Sequence, residues 1–177
     1  TQECKFNIVG FGSNHSSLFP HSVELSAETL AAATKYVSSI DADMGGTEIL
    51  PPMLQALAPE PIPGYPRQIF LLTDGQVYNT EEVVAAVAKA STTARCFSLA
   101  LGHGASRDLV EGVARAGGGE SDFVADGSGG NLERAVVQLL KRALQPALSD
   151  VRVDWGQAAD GETETDKSGQ EASAAPR

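Results

Sequence analysis

Gln68–Gly75, QIFLLTDG, is the stretch that decides the fold. Ile69–Leu72 is an unbroken apolar run of strand length, read as a strand buried on both faces, and it stops at Thr73-Asp74-Gly75. A continuous run, rather than an alternating one, is what a parallel sheet covered by helices requires. A carboxylate at the end of such a strand has two readings. Asp74 either faces a ligand or caps the Gly75 turn by accepting from backbone amides.

Working outward, the segments alternate between strand-like and helical patterns. Asn79, with Glu82 three residues on, predicts a capping-box-like start for the helix EEVVAAVAKA. ARCFSLALG then reads as a strand, SRDLVEGVARAGGG as a helix capped by Ser106, DFVAD as a strand, and Asn131–Gln145 as a helix. Leu148–Trp155, LSDVRVDW, alternates apolar and polar residues and reads as a half-exposed closing strand. Upstream of the deciding strand, Pro59–Arg67 places four prolines in nine residues, a connector that no helix crosses. Before it, a short helix is predicted over Ile49–Leu57, and a longer one over SAETLAAATKYVSSI with Ser26 as N-cap. Lys5–Gly10, KFNIVG, reads as the first strand, and SLFPHSVEL as an antiparallel edge compatible with Pro20. This order predicts an α/β, Rossmann-like domain, an open and mostly parallel sheet flanked by helices.

Composition narrows the partners. The 177 residues are 42% hydrophobic and 20% charged, with a formal net charge of -10. That is a globular composition whose charge disfavours nucleic acid and anionic membrane, and favours a cation. No apolar run is long enough for a membrane span. Cys4 and Cys96 both fall in apolar runs and are expected to be buried thiols in a reducing, cytoplasmic compartment. The last 22 residues, Gly156–Arg177, hold five acids and no Val, Ile, Leu or aromatic residue. They read as a disordered acidic tail or linker, with the folded domain over residues 1–155.

Met44-Gly45-Gly46-Thr47-Glu48 is the second informative stretch, because two glycines let the backbone approach something closely and a hydroxyl follows at a helix start. The bland alternative is that Thr47 caps that helix. Together, GGT before a short helix and an apolar strand ending in TDG resemble the von Willebrand factor A-type domain. The order of GFGS, GGTEILPP, QIFLLTDGQV, RCFSLALGHG, ARAGGG and LKRALQPALSDVRVDW is most similar to the von Willebrand A domain-containing protein 5 family, whose A domain follows a VIT domain. The resemblance implies a metal-ion-dependent adhesion site. Thr47 would be its hydroxyl ligand and Asp74 its carboxylate ligand to Mg²⁺, or to Mn²⁺ or Ca²⁺. An acidic group of a partner protein would take the open position. Glu48 and Gln76 lie beside these ligands and are candidates for shaping partner contacts.

The resemblance also implies a D-x-S-x-S loop after a first, central strand, and no D-x-S-x-S occurs in the sequence. The nearest string, Asp126-Gly127-Ser128-Gly129-Gly130, lacks the second serine and reads as a turn into the last helix. The expectation is therefore an N-terminally truncated domain that lacks its first strand and helix and binds metal weakly.

Two rival functions stand beside this one. An α/β hydrolase or nucleotide-binding enzyme finds little support. Gly10-Phe11-Gly12 has His15 where the third glycine of a dinucleotide loop belongs, and neither a P-loop lysine motif nor a G-x-S-x-G elbow occurs. His103 with Asp74 and Ser13 is the one conceivable triad, while His15 and His21 read as loop residues. The other rival is a structural interaction domain that uses no metal.

Overall fold

The computed structural model describes residues 4–40, 45–125 and 129–145. Its centre is a three-stranded parallel sheet of β5 (Arg67–Thr73), β6 (Ala94–Leu101) and β7 (Gly118–Val124), with β6 in the middle. The crossover helices α3 (Thr80–Lys89) and α4 (Arg107–Ala116) lie on one face, joined there by α2 (Leu50–Leu57). Ile49, Met53, Leu71, Val83, Val87, Cys96, Leu109 and Val113 form the core of that face. On the other face, α5 (Gly129–Ala143) sets Ala135, Leu139 and Ala143 against Phe97, Leu99 and Val124. The alternating α/β reading therefore holds, with two apolar layers around one sheet.

The N-terminal segment differs from the single strand expected over Lys5–Gly10. It forms β1 (Lys5–Phe6) and β2 (Val9–Phe11), each paired antiparallel outside the central sheet, to β4 (Val23–Glu24) and β3 (His15–Ser17) respectively. Asn7 divides them. Its side-chain amide donates to the Phe19 carbonyl at 2.9 Å and its Oδ1 accepts from the Phe19 and Ile8 amides, so the side chain takes the place of a ladder pair. The antiparallel edge expected over SLFPHSVEL forms only in part: Ser17 ends β3 and Val23–Glu24 is β4, while Pro20 lies in the bend between them. Between them and the Gly45 loop, α1 (Ala27–Ser38) begins at the expected Ser26 cap, where Thr29 completes a reciprocal capping box.

Four further expectations are corrected. The deciding strand is not buried on both faces: Leu71 is buried, but Leu72 is 44% exposed, because β5 pairs only with β6 among the described residues. Cys4 is exposed at the start of β1, whereas Cys96 is fully buried in β6. Asn79 precedes α3 but makes no side-chain cap, since its backbone at φ -111, ψ 38 is not extended, and its Oδ1 is buried without a partner. The helix from Ser106 ends at Ala116, and Gly118, at φ +62, already opens β7. Leu148–Trp155, the tail 156–177 and Asp126–Ser128 lie outside the described residues; Gly129 and Gly130 open α5.

Candidate functional site: four loops at one end of the sheet

The parallel strands β5 and β6 deliver their loops to one end, and the loops after β2 and after α1 nest against the β5 loop through glycines. The first follows β2, where Gly12 donates to the Asn14 carbonyl at 2.7 Å to close a tight turn. The second, Gly45–Glu48, is tied to it by the Glu48 amide donating to the Gly12 carbonyl at 2.8 Å. Gly45 and Gly46 both have left-handed backbones, φ +54 and +49, and a Cβ on Gly46 would stand 2.6 Å from Ser13 Oγ. The third loop is Asp74-Gly75. A Cβ on Gly75 would stand 2.6 Å from Thr47 Oγ1, so Thr47 lies directly against the residue that follows Asp74. The fourth, Gly102–Ser106, is bound by the Ser106 amide donating to the Gly75 carbonyl at 3.2 Å, and Gly104 packs on the Asp74 carbonyl.

Thr47 and Asp74 are thus brought onto adjacent loops, and neither serves the local purpose that would otherwise explain it. The Gly75 amide donates to Thr73 Oγ1 at 3.3 Å, so Thr73 and not Asp74 closes that turn. The N-cap of α2 is Ile49, which has no side-chain cap bond, so Thr47 is not the cap. Asp74 is exposed and Thr47 half-buried. Both offer side-chain oxygens that make no hydrogen bond among the described residues.

The other candidates separate. His15 lies on β3, His21 follows β3 in the chain, and His103 stands on the fourth loop; all three are exposed. Among the described residues no hydrogen bond joins His103 to Asp74 or Ser13, and no three His, Cys, Asp or Glu side chains are grouped to hold a metal. Glu48 and Gln76 flank the two central residues. In the sequence Ser13 stands out only as a member of the conceivable triad with His103 and Asp74. Its contact with Gly46 makes it a wall of the site, a role signalled only by the pairing of GFGS with a later GGT.

The family model for the von Willebrand factor type A domain matches residues 1–123. The chain belongs to this family. A von Willebrand factor A domain-containing protein of Dictyostelium discoideum is 41% identical over 155 residues, 88% of this chain and 16% of that protein. Human von Willebrand factor A domain-containing protein 5A is 41% identical over 152 residues, 86% of this chain and 19% of that protein. The chain therefore spans less than a fifth of these relatives. Among solved structures, a von Willebrand factor type A protein from Catenulispora acidiphila superposes with a TM-score of 0.63 at 19% identity, over 81% of this chain and 34% of that one. Proximal thread matrix protein 1 from the mussel byssus, with a zinc-occupied MIDAS motif, gives 0.54 at 18% identity, over 77% of this chain and 34% of that one. These two likenesses establish the fold. Membership of the von Willebrand A family makes the chain a module of a protein-interaction class.

Proposed function

We propose that this von Willebrand A domain binds an acidic group of a partner protein through a divalent cation, with Thr47 and Asp74 supplying two of the cation's ligands. The observation that carries the reading is that neither side chain caps its own turn or helix, although Thr47 packs against Gly75, the residue next to Asp74. The donors fit a hard cation in kind, a hydroxyl and a carboxylate, and Mg²⁺ takes such oxygens while keeping several waters. They do not suffice in number, because Mg²⁺ fills about six positions and the D-x-S-x-S donors of the resemblance are absent from the sequence. This chain alone is accordingly a poor metal binder. We take residues 1–155 as part of a larger domain, with its remaining donors on a strand laid along the open edge of β5. The chain is a binding module and not an enzyme in this reading. Its compartment is a reducing one, consistent with two free cysteines; among the described residues, no helix is long and apolar enough to cross a membrane.

Calorimetric titration tests the reading. Mg²⁺ and Mn²⁺ added to this chain are expected to give little heat. With an apolar strand peptide ending in D-x-S-x-S present, binding should appear, and Asp74→Ala or Thr47→Ala should remove it. Heat of binding that both variants leave unchanged would refute the assignment. Partner capture that survives EDTA would instead favour an interaction domain that uses no metal.

A further inference from the structure

A nitrogen donor without a task stands beside Asp74. His103 occupies the fourth loop between Gly102, left-handed at φ +74, and Gly104. That loop is pinned to the third: a Cβ on Gly104 would stand 3.1 Å from the Asp74 carbonyl oxygen, and the Ser106 amide donates to the Gly75 carbonyl at 3.2 Å. Adjacent Cα atoms are about 3.8 Å apart, so the His103 Cα lies within roughly 8 Å of that oxygen. The His103 and Asp74 side chains are both exposed, and neither makes a hydrogen bond or ion pair among the described residues. An ion held between an imidazole and a carboxylate can span such a separation, since zinc bonds to nitrogen and to oxygen are each about 2.0–2.2 Å. His15, in the hairpin ladder opposite Phe11, and His21, beyond β3, stand on other segments.

We infer that His103 is a third ligand of the cation site and that it turns the preference of that site from Mg²⁺ to Zn²⁺. This rests on the proposed function for the parts of Thr47 and Asp74. A hydroxyl and a carboxylate alone suit a hard ion that keeps its waters, whereas imidazole suits zinc. Zinc is also satisfied by about four donors, where Mg²⁺ takes about six. Imidazole, carboxylate and hydroxyl supply three of them from this chain, and the fourth position stays open to water or to the partner's acid. The shortage of donors that leaves Mg²⁺ weakly held here is therefore much smaller for zinc. The net charge of -10 draws either ion, so selectivity between them comes from the donors.

Calorimetric titration of Zn²⁺ into the 177-residue chain, with Cys4→Ser removing the exposed rival thiol, tests the assignment. One zinc is expected to bind about a hundredfold or more tighter than Mg²⁺, with no strand peptide added. His103→Ala and Asp74→Ala should each weaken zinc about tenfold or more, while His15→Ala and His21→Ala should leave it unchanged. His103→Cys, which puts another zinc donor at the same place, should retain it. In proton NMR the imidazole resonances of His103 should move with the first equivalent of zinc. Zinc held no more tightly than Mg²⁺, or indifferent to His103→Ala, would overturn the inference, and so would zinc that depends on His103 but not on Asp74. The proposed function fails differently, by Mg²⁺ binding in the presence of the strand peptide that survives Asp74→Ala and Thr47→Ala. His103→Ala should leave that Mg²⁺ binding in place while zinc is lost.

Discussion

Thr47 and Gly75 meet so closely that a methyl group on Gly75 would stand 2.6 Å from Thr47 Oγ1 and 3.1 Å from its methyl carbon. Gly75→Ala must therefore displace either the threonine or the loop, a strain of about 1–3 kcal/mol. Thr47→Ala removes both offending atoms. The two substitutions combined should then cost clearly less than their sum, a coupling of about 1 kcal/mol or more in a urea-melt double-mutant cycle. Strict additivity would mean that the loops are not packed in this way. Cys96 supports a second prediction. Burial pushes its thiol from an ordinary 9.0 up to about 11, so the folded chain keeps the proton that the unfolded chain releases. Stability on this account is level below pH 9 and falls as pH rises from 9 to 11, by up to about 2–3 kcal/mol. Urea midpoints of the wild type and Cys96→Ala across pH 8–11 should converge as the pH climbs, and parallel curves would contradict the assignment.

At the scale of elements, the proline connector shows what holds an irregular segment in place. Arg67 donates from Nη1 to the Leu57 carbonyl at 3.0 Å, and from Nη2 to the Pro59 and Glu60 carbonyls at 2.6 and 3.1 Å. One guanidinium thus serves the end of α2 and the start of the connector from the first residue of β5. Two of the three bonds are exposed, so Arg67→Ala should cost about 1–2 kcal/mol, with hydrogen exchange quickening first in the last turn of α2. Arg67→Lys should recover only part of this, because an ammonium lacks the planar fork. None of it was visible beforehand, since a sequence shows that Arg67 follows a proline but not which carbonyls it reaches. Local rules with one partner were legible: Ser26 caps α1, Ser106 caps α4 through the Leu109 amide, and the apolar runs became β5 and β6. Rules that depend on a backbone angle or a distant carbonyl failed, as at Asn79, whose cap does not form, and Asn7, which divides a strand. The candidate site was legible as a pair of motifs because Thr47 follows two glycines and Asp74 ends an apolar strand just before Gly75. The steric interlock between them, and the part of Ser13 in it, required coordinates.

For the whole molecule, the two edges of the central sheet contrast. β7 is guarded: Arg142 pairs with Glu120, Arg95 donates to the Gly118 carbonyl at 3.2 Å, and Arg107 lies 4.2 Å above the Phe123 ring. Among the described residues β5 has no such guard over Ile69–Leu72, and Leu72 is 44% exposed. An unguarded apolar edge is a template for another strand, which is why we take the domain to be completed there. Topology also places the helix that would accompany such a strand. The crossovers from β5 to β6 and from β6 to β7 are parallel and put α3 and α4 on one face. A right-handed connection leading the opposite way must lie on the opposite face. On that face α5 leaves Val137 and Leu140 40% and 45% exposed, and Leu72 is open beside it. Without that cover the chain should melt broadly, bind a hydrophobic dye, and aggregate in a concentration-dependent way. Leu72→Lys should suppress the aggregation with little effect on the midpoint, because the position already meets solvent. Adding an apolar strand and amphipathic helix ahead of Thr1 should sharpen the transition and remove the dye signal. A sharp, concentration-independent calorimetric transition of the 177-residue monomer would show instead that the sheet needs no further strand.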